Sequence, residues 1–181
     1  MKRSLLSLAF GTFALGVAEF GMMGILGDVA RGVDVDIVKA GHLISAYSLG
    51  VAVGAPMLVL LRRVPLKRLM LLLAAVIALG NAFAALSPGY AALLCARFIS
   101  GLPHGAYFGA GAIVCSRLAD PGKGASAVAV MVGGMTVANL IGVPFATWIC
   151  AATSWRVAFA AVSLIGLLTF AGVWGWMPKL A

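Results

Sequence analysis

Six stretches of this chain, residues 5–26, 40–61, 69–86, 90–115, 125–152 and 157–177, run almost without charge. Each approaches or exceeds the ~20 apolar residues that carry a helix across ~30 Å of hydrocarbon. There every backbone N–H and C=O needs a partner within the protein, so only helices and closed barrels can span. The stretches lack the strict apolar–polar alternation that a barrel strand with a polar lumen face requires. The sequence therefore predicts an all-α membrane protein, a single six-helix bundle over residues 1–181. Composition agrees, with 63% hydrophobic and 10% charged residues against roughly 25% charged in soluble domains.

Two charged residues interrupt the stretches: Glu19 in the first and Arg97 in the fourth. An ionised side chain at mid-membrane costs about 2.5–3.5 kcal/mol on insertion scales, which marks both as candidate functional residues. Glu19 lies seven residues before Leu26, and Arg97 seven residues after Tyr90, so both fall ~10 Å below the same boundary. Equal depth predicts a direct or water-bridged pair, with the carboxylate holding a proton or cationic substrate and the guanidinium tuning it. The competing readings are a purely structural ion pair and an Arg that reaches outward to the interface. His104 shares the face of Arg97 two turns deeper, where it can relay protons or simply pack beside Pro103. Asn139, near the middle of the fifth stretch, either bonds a neighbouring helix or lines a polar cavity.

Lys and Arg sort by loop. Lys2, Arg3, Arg62, Arg63, Lys67, Arg68, Arg117, Lys123 and Lys179 flank one side, and Arg31, Lys39 and Arg156 the other. The positive-inside rule then places both termini in the cytoplasm, in a bacterial-type inner membrane. The net charge of +8 reflects this sorting and attraction to anionic lipid in the bilayer; no nucleic-acid surface is read from it. Lys2 and Arg3 before an apolar run and Gly16-Val17-Ala18 also resemble a secretory signal. The run continues to Leu26 and five more follow, which favours an uncleaved first helix. Cys95, Cys115 and Cys150 have no metal-ligand spacing, and no nucleophile elbow, phosphate loop or zinc motif is present. No cofactor, metal or enzymatic activity is expected.

Tight turns at Ser87-Pro88-Gly89, Asp120-Pro121-Gly122 and around Pro65 predict antiparallel, packed neighbours. The longest connection, residues 27–39, is expected to be an exposed loop or short surface helix. Gly101, Gly105 and Gly109 recur every four residues, and Gly133, Gly134, Ala138 and Gly142 line the fifth stretch. Small residues at this spacing let helices approach closely in lipid. Pro103 and Pro144 each remove a backbone bond and allow a bend. Residues 18–26 and 106–114 match at Ala, Phe, Gly and Ile, as a three-helix inverted repeat would.

Several segments, in order along the chain, carry a family resemblance. Arg97-Phe-Ile-Ser-Gly101-Leu-Pro-His104-Gly105 resembles the fourth-helix signature of the major facilitator superfamily. The run from Gly134 to Gly142-Val-Pro144 resembles the fifth-helix glycine–proline motif of its antiporters, and Trp155-Arg156-Val-Ala-Phe159 the start of its sixth helix. Ala18-Glu19-Phe20, Ser45-Ala-Tyr47 and Gly54-Ala-Pro56 are similar to its arabinose-efflux and drug/proton antiporter branch. The resemblance implies one half of the facilitator fold, a 3+3 inverted repeat, with the first and fourth helices lining a central cavity. It implies proton-coupled efflux of a small, sugar-like or drug-like molecule by alternating access. Glu19, Arg97, His104 and Asn139 would serve substrate or proton, and Gly101, Gly105, Gly134, Gly142 and Pro144 gating or packing. The loop Arg62-Arg-Val-Pro-Leu-Lys-Arg68 departs from the pattern, having neither the family's acid nor its Gly. The superfamily pairs two six-helix halves, so this amino-terminal half would need a second one, from another polypeptide or as a homodimer. The alternatives are a structural or binding membrane protein without transport and an inactive truncated transporter.

Overall fold

The computed structural model describes residues 2–180, and every element in it is helical: α1 (Lys2–Gly32), α2 (Ile37–Leu60), α3 (Leu66–Leu86), α4 (Tyr90–Gly101), α5 (Pro103–Leu118), α6 (Gly124–Val137), a π-helical turn (Ala138–Gly142), α7 (Val143–Ala152) and α8 (Trp155–Trp176). Helices α4 and α5 form one span, as do α6, the π turn and α7, so six rods are long and apolar enough to cross a membrane.

Local chemistry sets the breaks inside these rods. Pro103 has no N–H for the carbonyl of Ile99, and the N–H of Leu102 takes that carbonyl one residue early, at 3.2 Å. The rod tightens there by one hydrogen bond and continues. Pro144 is absorbed in the opposite way. The N–H of Val143 reaches back to Ala138, widening the turn before the proline ring so that it does not collide with the preceding backbone.

The first rod is longer than its apolar run suggests. Helix α1 passes Leu26 and ends at Gly32, and its last turn carries an Arg31–Asp28 pair at 2.5 Å. The expected long loop over residues 27–39 is therefore a short link. Asp34 bends it with φ 54°, and the Asp36 side chain accepts the Lys39 N–H at 2.8 Å to cap α2.

Packing arranges α1 at the centre, with α6, α7 and α8 on one side and α2 and α5 on the other. Two apolar clusters fill the interior. One, around Leu8, Leu15, Met70, Val114 and Met131, lies toward the end bearing Lys2 and Lys67. The second, around Met22, Val29, Leu93 and Phe159, lies toward the opposite end. Span α1 is the best buried, followed by α3 and the α4–α5 rod, whereas α2 and the α6–α7 rod stay largely exposed.

Glycines decide how α2 meets α4 and α5. A Cβ on Gly54 would strike the carbonyl of Leu102, one on Gly50 that of Phe98, and one on Gly101 that of Tyr47. Gly105 and Gly109 continue the seam against Ala55 and Leu58. The ridge predicted on the fourth span thus has its partner surface on the second, at Gly50 and Gly54. Gly134 and Gly142 play the same part against Ala9, Thr12, Phe13 and Val17 of α1.

Backbone cannot step aside as a side chain can, so Gly54→Val is expected to cost at least the ~1–3 kcal/mol typical of overpacking. Thermal unfolding of the detergent-solubilised protein should show a clear drop. Gly133→Ala, where an added Cβ meets nothing within 4 Å, should melt as the parent does.

Candidate functional site

Glu19, Tyr47, Arg97 and His104 come together where α1, α2 and the α4–α5 rod meet. Glu19 Oε2 lies 3.7 Å from His104 Nε2, as an ion pair when the imidazole is charged. His104 Nδ1 lies 3.0 Å from the Tyr47 hydroxyl, which is also 3.5 Å from the carbonyl of Leu15. Phe108 stacks on the imidazole at 5.4 Å. The Tyr47 ring in turn receives the Arg97 guanidinium at 4.5 Å, with Phe159 on a second side at 5.5 Å. One tyrosine, fixed by the glycine seam, touches both Arg97 and His104 of the α4–α5 rod.

Glu19 therefore meets His104 and makes no ion pair with Arg97. The direct contact expected from equal depth is corrected by the true end of the first rod. Measured from Gly32 rather than Leu26, Glu19 lies thirteen residues down, or ~20 Å. His104 lies fourteen residues from Tyr90 on the antiparallel rod, or ~21 Å. Arg97 is half as deep. Tyr47 is the side chain that touches both Arg97 and His104.

Accessibility separates the residues further. The Glu19 and His104 side chains are 26% and 12% exposed, so a solute can reach them. Arg97 is fully buried, and none of its three guanidinium nitrogens has a hydrogen-bond partner. An unpaired buried polar group costs ~1–3 kcal/mol and a charged one more; two cation–π contacts return up to ~2 kcal/mol each when desolvated. The guanidinium is held by aromatic faces alone.

Asn139 sits in the π turn and is exposed, as are Thr136, Leu140 and Ile141. Among the described residues no hydrogen bond joins it to Glu19, His104 or Arg97. Pro144 is likewise exposed, while Gly101, Gly134 and Gly142 are buried in helix contacts and Gly105 is half-buried. Tyr47 and Phe159 were not read from the sequence as partners of the charged pair. Their spacing along separate spans carries no sign of it, since the contact depends on α2 seating against α4. At the far end Arg156 donates to the carbonyls of Ala85 at 2.9 Å and Ser87 at 2.7 Å and lies 4.3 Å over the Trp155 ring. It ties the start of α8 to the end of α3. No group of three or more potential metal ligands occurs among the described residues.

The proton arithmetic of the cluster follows from its geometry. With neutral imidazole, the Tyr47 hydroxyl donates across the shorter contact to Nδ1, and the Nε2–H faces Glu19. With imidazolium, Nδ1 becomes a donor, and the Tyr47 hydroxyl must turn its hydrogen to the Leu15 carbonyl. Both states have partners, so neither strands a buried donor.

A bundle of six membrane-length helices, with ionisable groups at mid-depth open on one side, is the architecture of half a solute transporter. The chain belongs to the Major Facilitator Superfamily, which it matches over residues 8–180. It is 49% identical to AraJ of Escherichia coli (strain K12) over 99% of this chain and 46% of that protein. It is 44% identical to YdhP of the same strain, named as an inner membrane transport protein, over 97% of this chain and 45% of that one. The fold superposes with a TM-score of 0.81 on the proton:xylose symporter XylE, at 14% identity, over 98% of this chain and 45% of that one. The chain thus spans about half the length of the relatives it matches. It is a multi-pass membrane protein with the half-facilitator fold.

Two substitutions probe the site. Arg97→Met keeps the aromatic packing and removes an unpaired charge, so the variant should melt no lower than the parent in a thermal unfolding series. Tyr47→Phe keeps the ring over Arg97 but deletes the hydroxyl. His104 then loses its Nδ1 partner, and the imidazole NMR signal should show a changed tautomer balance and faster exchange with water.

Proposed function

We propose that this chain is the half of a proton-coupled antiporter that carries the proton site, exporting a small sugar-like or drug-like molecule by alternating access. The observation that carries this reading is the Glu19–His104–Tyr47 cluster. It is a carboxylate and an imidazole 3.7 Å apart, partly open to the bundle's exposed side, with a hydroxyl that can follow the proton. A structural ion pair would gain nothing from that opening, which admits water and weakens it. An antiporter needs it, because proton and solute must reach one site in turn.

The exposed side suits a second six-helix body. Ser45, Ser48, Thr136 and Asn139 are polar and exposed on the two least buried rods, where lipid would leave them unsatisfied. Facing a water-filled cavity against a second half, they would contact solute. In this reading Glu19 and His104 hold the proton, Arg97 biases its affinity through Tyr47, and Asn139 contacts the exported molecule. The basic end, with Lys2, Arg62, Arg63, Lys67 and Arg68, faces the cytoplasm, as the loop charges require.

The experiment uses everted membrane vesicles containing the protein as its host makes it, with the interior acidified by respiration and followed by a quenched acridine dye. Adding arabinose or ethidium to parent vesicles should release part of the quench as protons leave in exchange. Glu19→Gln should abolish that release, and His104→Gln should cut it at least tenfold, the loss typical of removing a positioned proton carrier. Equal dye recovery in Glu19→Gln and parent vesicles would refute the proton site.

A further inference from the structure

The π turn leaves an acceptor that the proton cluster does not use. N–H groups in such a turn bond five residues back instead of four. The Val143 N–H accordingly goes to the carbonyl of Ala138 and not to Asn139, its partner in a regular helix. The donor five residues beyond Asn139 would be Pro144, which has no N–H. The Asn139 carbonyl is therefore left without a backbone donor. Among the described residues its side-chain amide and the hydroxyl of Thr136, one turn earlier, also have no hydrogen-bond partner, and both residues are exposed. Helix carbonyls point along the chain, and Pro144, toward which this one points, is exposed as well.

Three unclaimed polar groups on one turn are costly against hydrocarbon. The turn lies near the middle of the span Gly124–Ala152, where irregular backbone is tolerated only inside protein or against a water-filled cavity. Its neighbours say which surface it borders. A Cβ on Gly16 would meet Ala138 and Met135, and one on Gly24 would meet Thr147. Glu19 falls between those two glycines, so the turn lies beside the segment of α1 that carries the carboxylate. Ala138 and Gly142 are buried against α1, and Asn139, next around the turn, is not.

We infer that the Asn139 carbonyl, with the Asn139 amide and the Thr136 hydroxyl, forms a subsite for a solute bearing adjacent hydroxyls. The carbonyl only accepts, whereas the amide and the hydroxyl both donate and accept. A vicinal diol answers that set, because each of its hydroxyls donates one hydrogen and can accept another. An organic cation without N–H or O–H groups leaves the carbonyl unanswered. An ammonium group serves the carbonyl but sets its charge against the amide N–H. The inference rests on the transport reading of the cavity and narrows its cargo to the polyol or sugar type. Pro144 shapes the subsite by withholding a hydrogen.

The test is solid-state NMR of the full chain in lipid bilayers, with carbon-13 at the asparagine carbonyl and nitrogen-15 on leucine. Leu140 follows Asn139, whereas Ala82 follows Asn81, so the doubly labelled bond reports Asn139 alone. Of arabinose, xylose and inositol, at least one should shift this carbonyl signal and transfer magnetisation to it from its hydroxyl protons. Tetraphenylphosphonium should leave the signal unmoved. Pro144→Ala supplies an N–H and lets the rod return to regular helix, so that Val143 donates to Asn139 again. That variant should bind the same solute about tenfold more weakly, the loss of one hydrogen bond, with unchanged helix content by circular dichroism. Gly133→Ala, whose added Cβ meets nothing within 4 Å, should bind as the parent does. An unmoved carbonyl with all three solutes, an equal shift with tetraphenylphosphonium, or a shift with sodium ions alone would overturn the subsite. So would parental affinity in Pro144→Ala. The measurement needs no proton gradient. Glu19-dependent exchange without solute at Asn139 sinks this subsite alone, and solute at Asn139 without such exchange sinks only the antiport mechanism.

Discussion

Close backbone contact between α2 and the α4–α5 rod is the constraint on which the rest of this structure depends. Lipid tails are as apolar as leucine, so no hydrophobic drive holds two membrane helices together, and packing must do so instead. Gly50, Gly54, Gly101 and Gly105 let the two backbones come within reach of each other's carbonyls. That approach brings the Tyr47 ring against Arg97 and its hydroxyl against His104. A bulkier seam would move Tyr47 outward and separate the two basic residues from their common neighbour. Site geometry here is a consequence of small residues along a helix seam that themselves carry no chemistry.

Arg97 shows what such a seam can enforce. Its guanidinium is wholly buried and bonded to nothing, held between Tyr47 and Phe159. Aromatic faces offset part of the desolvation cost but supply no directional acceptor. A group in that condition gains free energy whenever the structure around it rearranges to offer one. Helix α1, bearing the Glu19 carboxylate, packs against α2, α5 and the π turn.

Much of the architecture was legible in the sequence because hydrocarbon leaves few choices. The six apolar runs correspond to the six rods, and the spaced glycines of the fourth and fifth runs lie in helix contacts. Helix ends were the weak point. Gly27, Asp28 and Arg31 look like loop residues by type, yet Asp28 and Arg31 satisfy one another one turn apart and carry α1 on to Gly32. That six-residue extension doubles the depth of Glu19 and moves its partner from Arg97 to His104. The roles of Tyr47 and Phe159 could not be read at all, since they depend on how separate spans meet. Asn139 was singled out for its depth, but depth says nothing of which way a π turn faces.

The α2–α3 link follows the same logic by contrast. In the family pattern an acid in this loop would neutralise part of the surrounding positive charge; here Arg62, Arg63 and Arg68 stand without one. Without that acid the three like charges repel one another, a repulsion that solvent and salt screen. Lys67 escapes it by turning into the end of α8, and in doing so it braces α3 against the helix farthest along the chain. The end of the bundle is thus stiff at Lys67 and charged at its three neighbours.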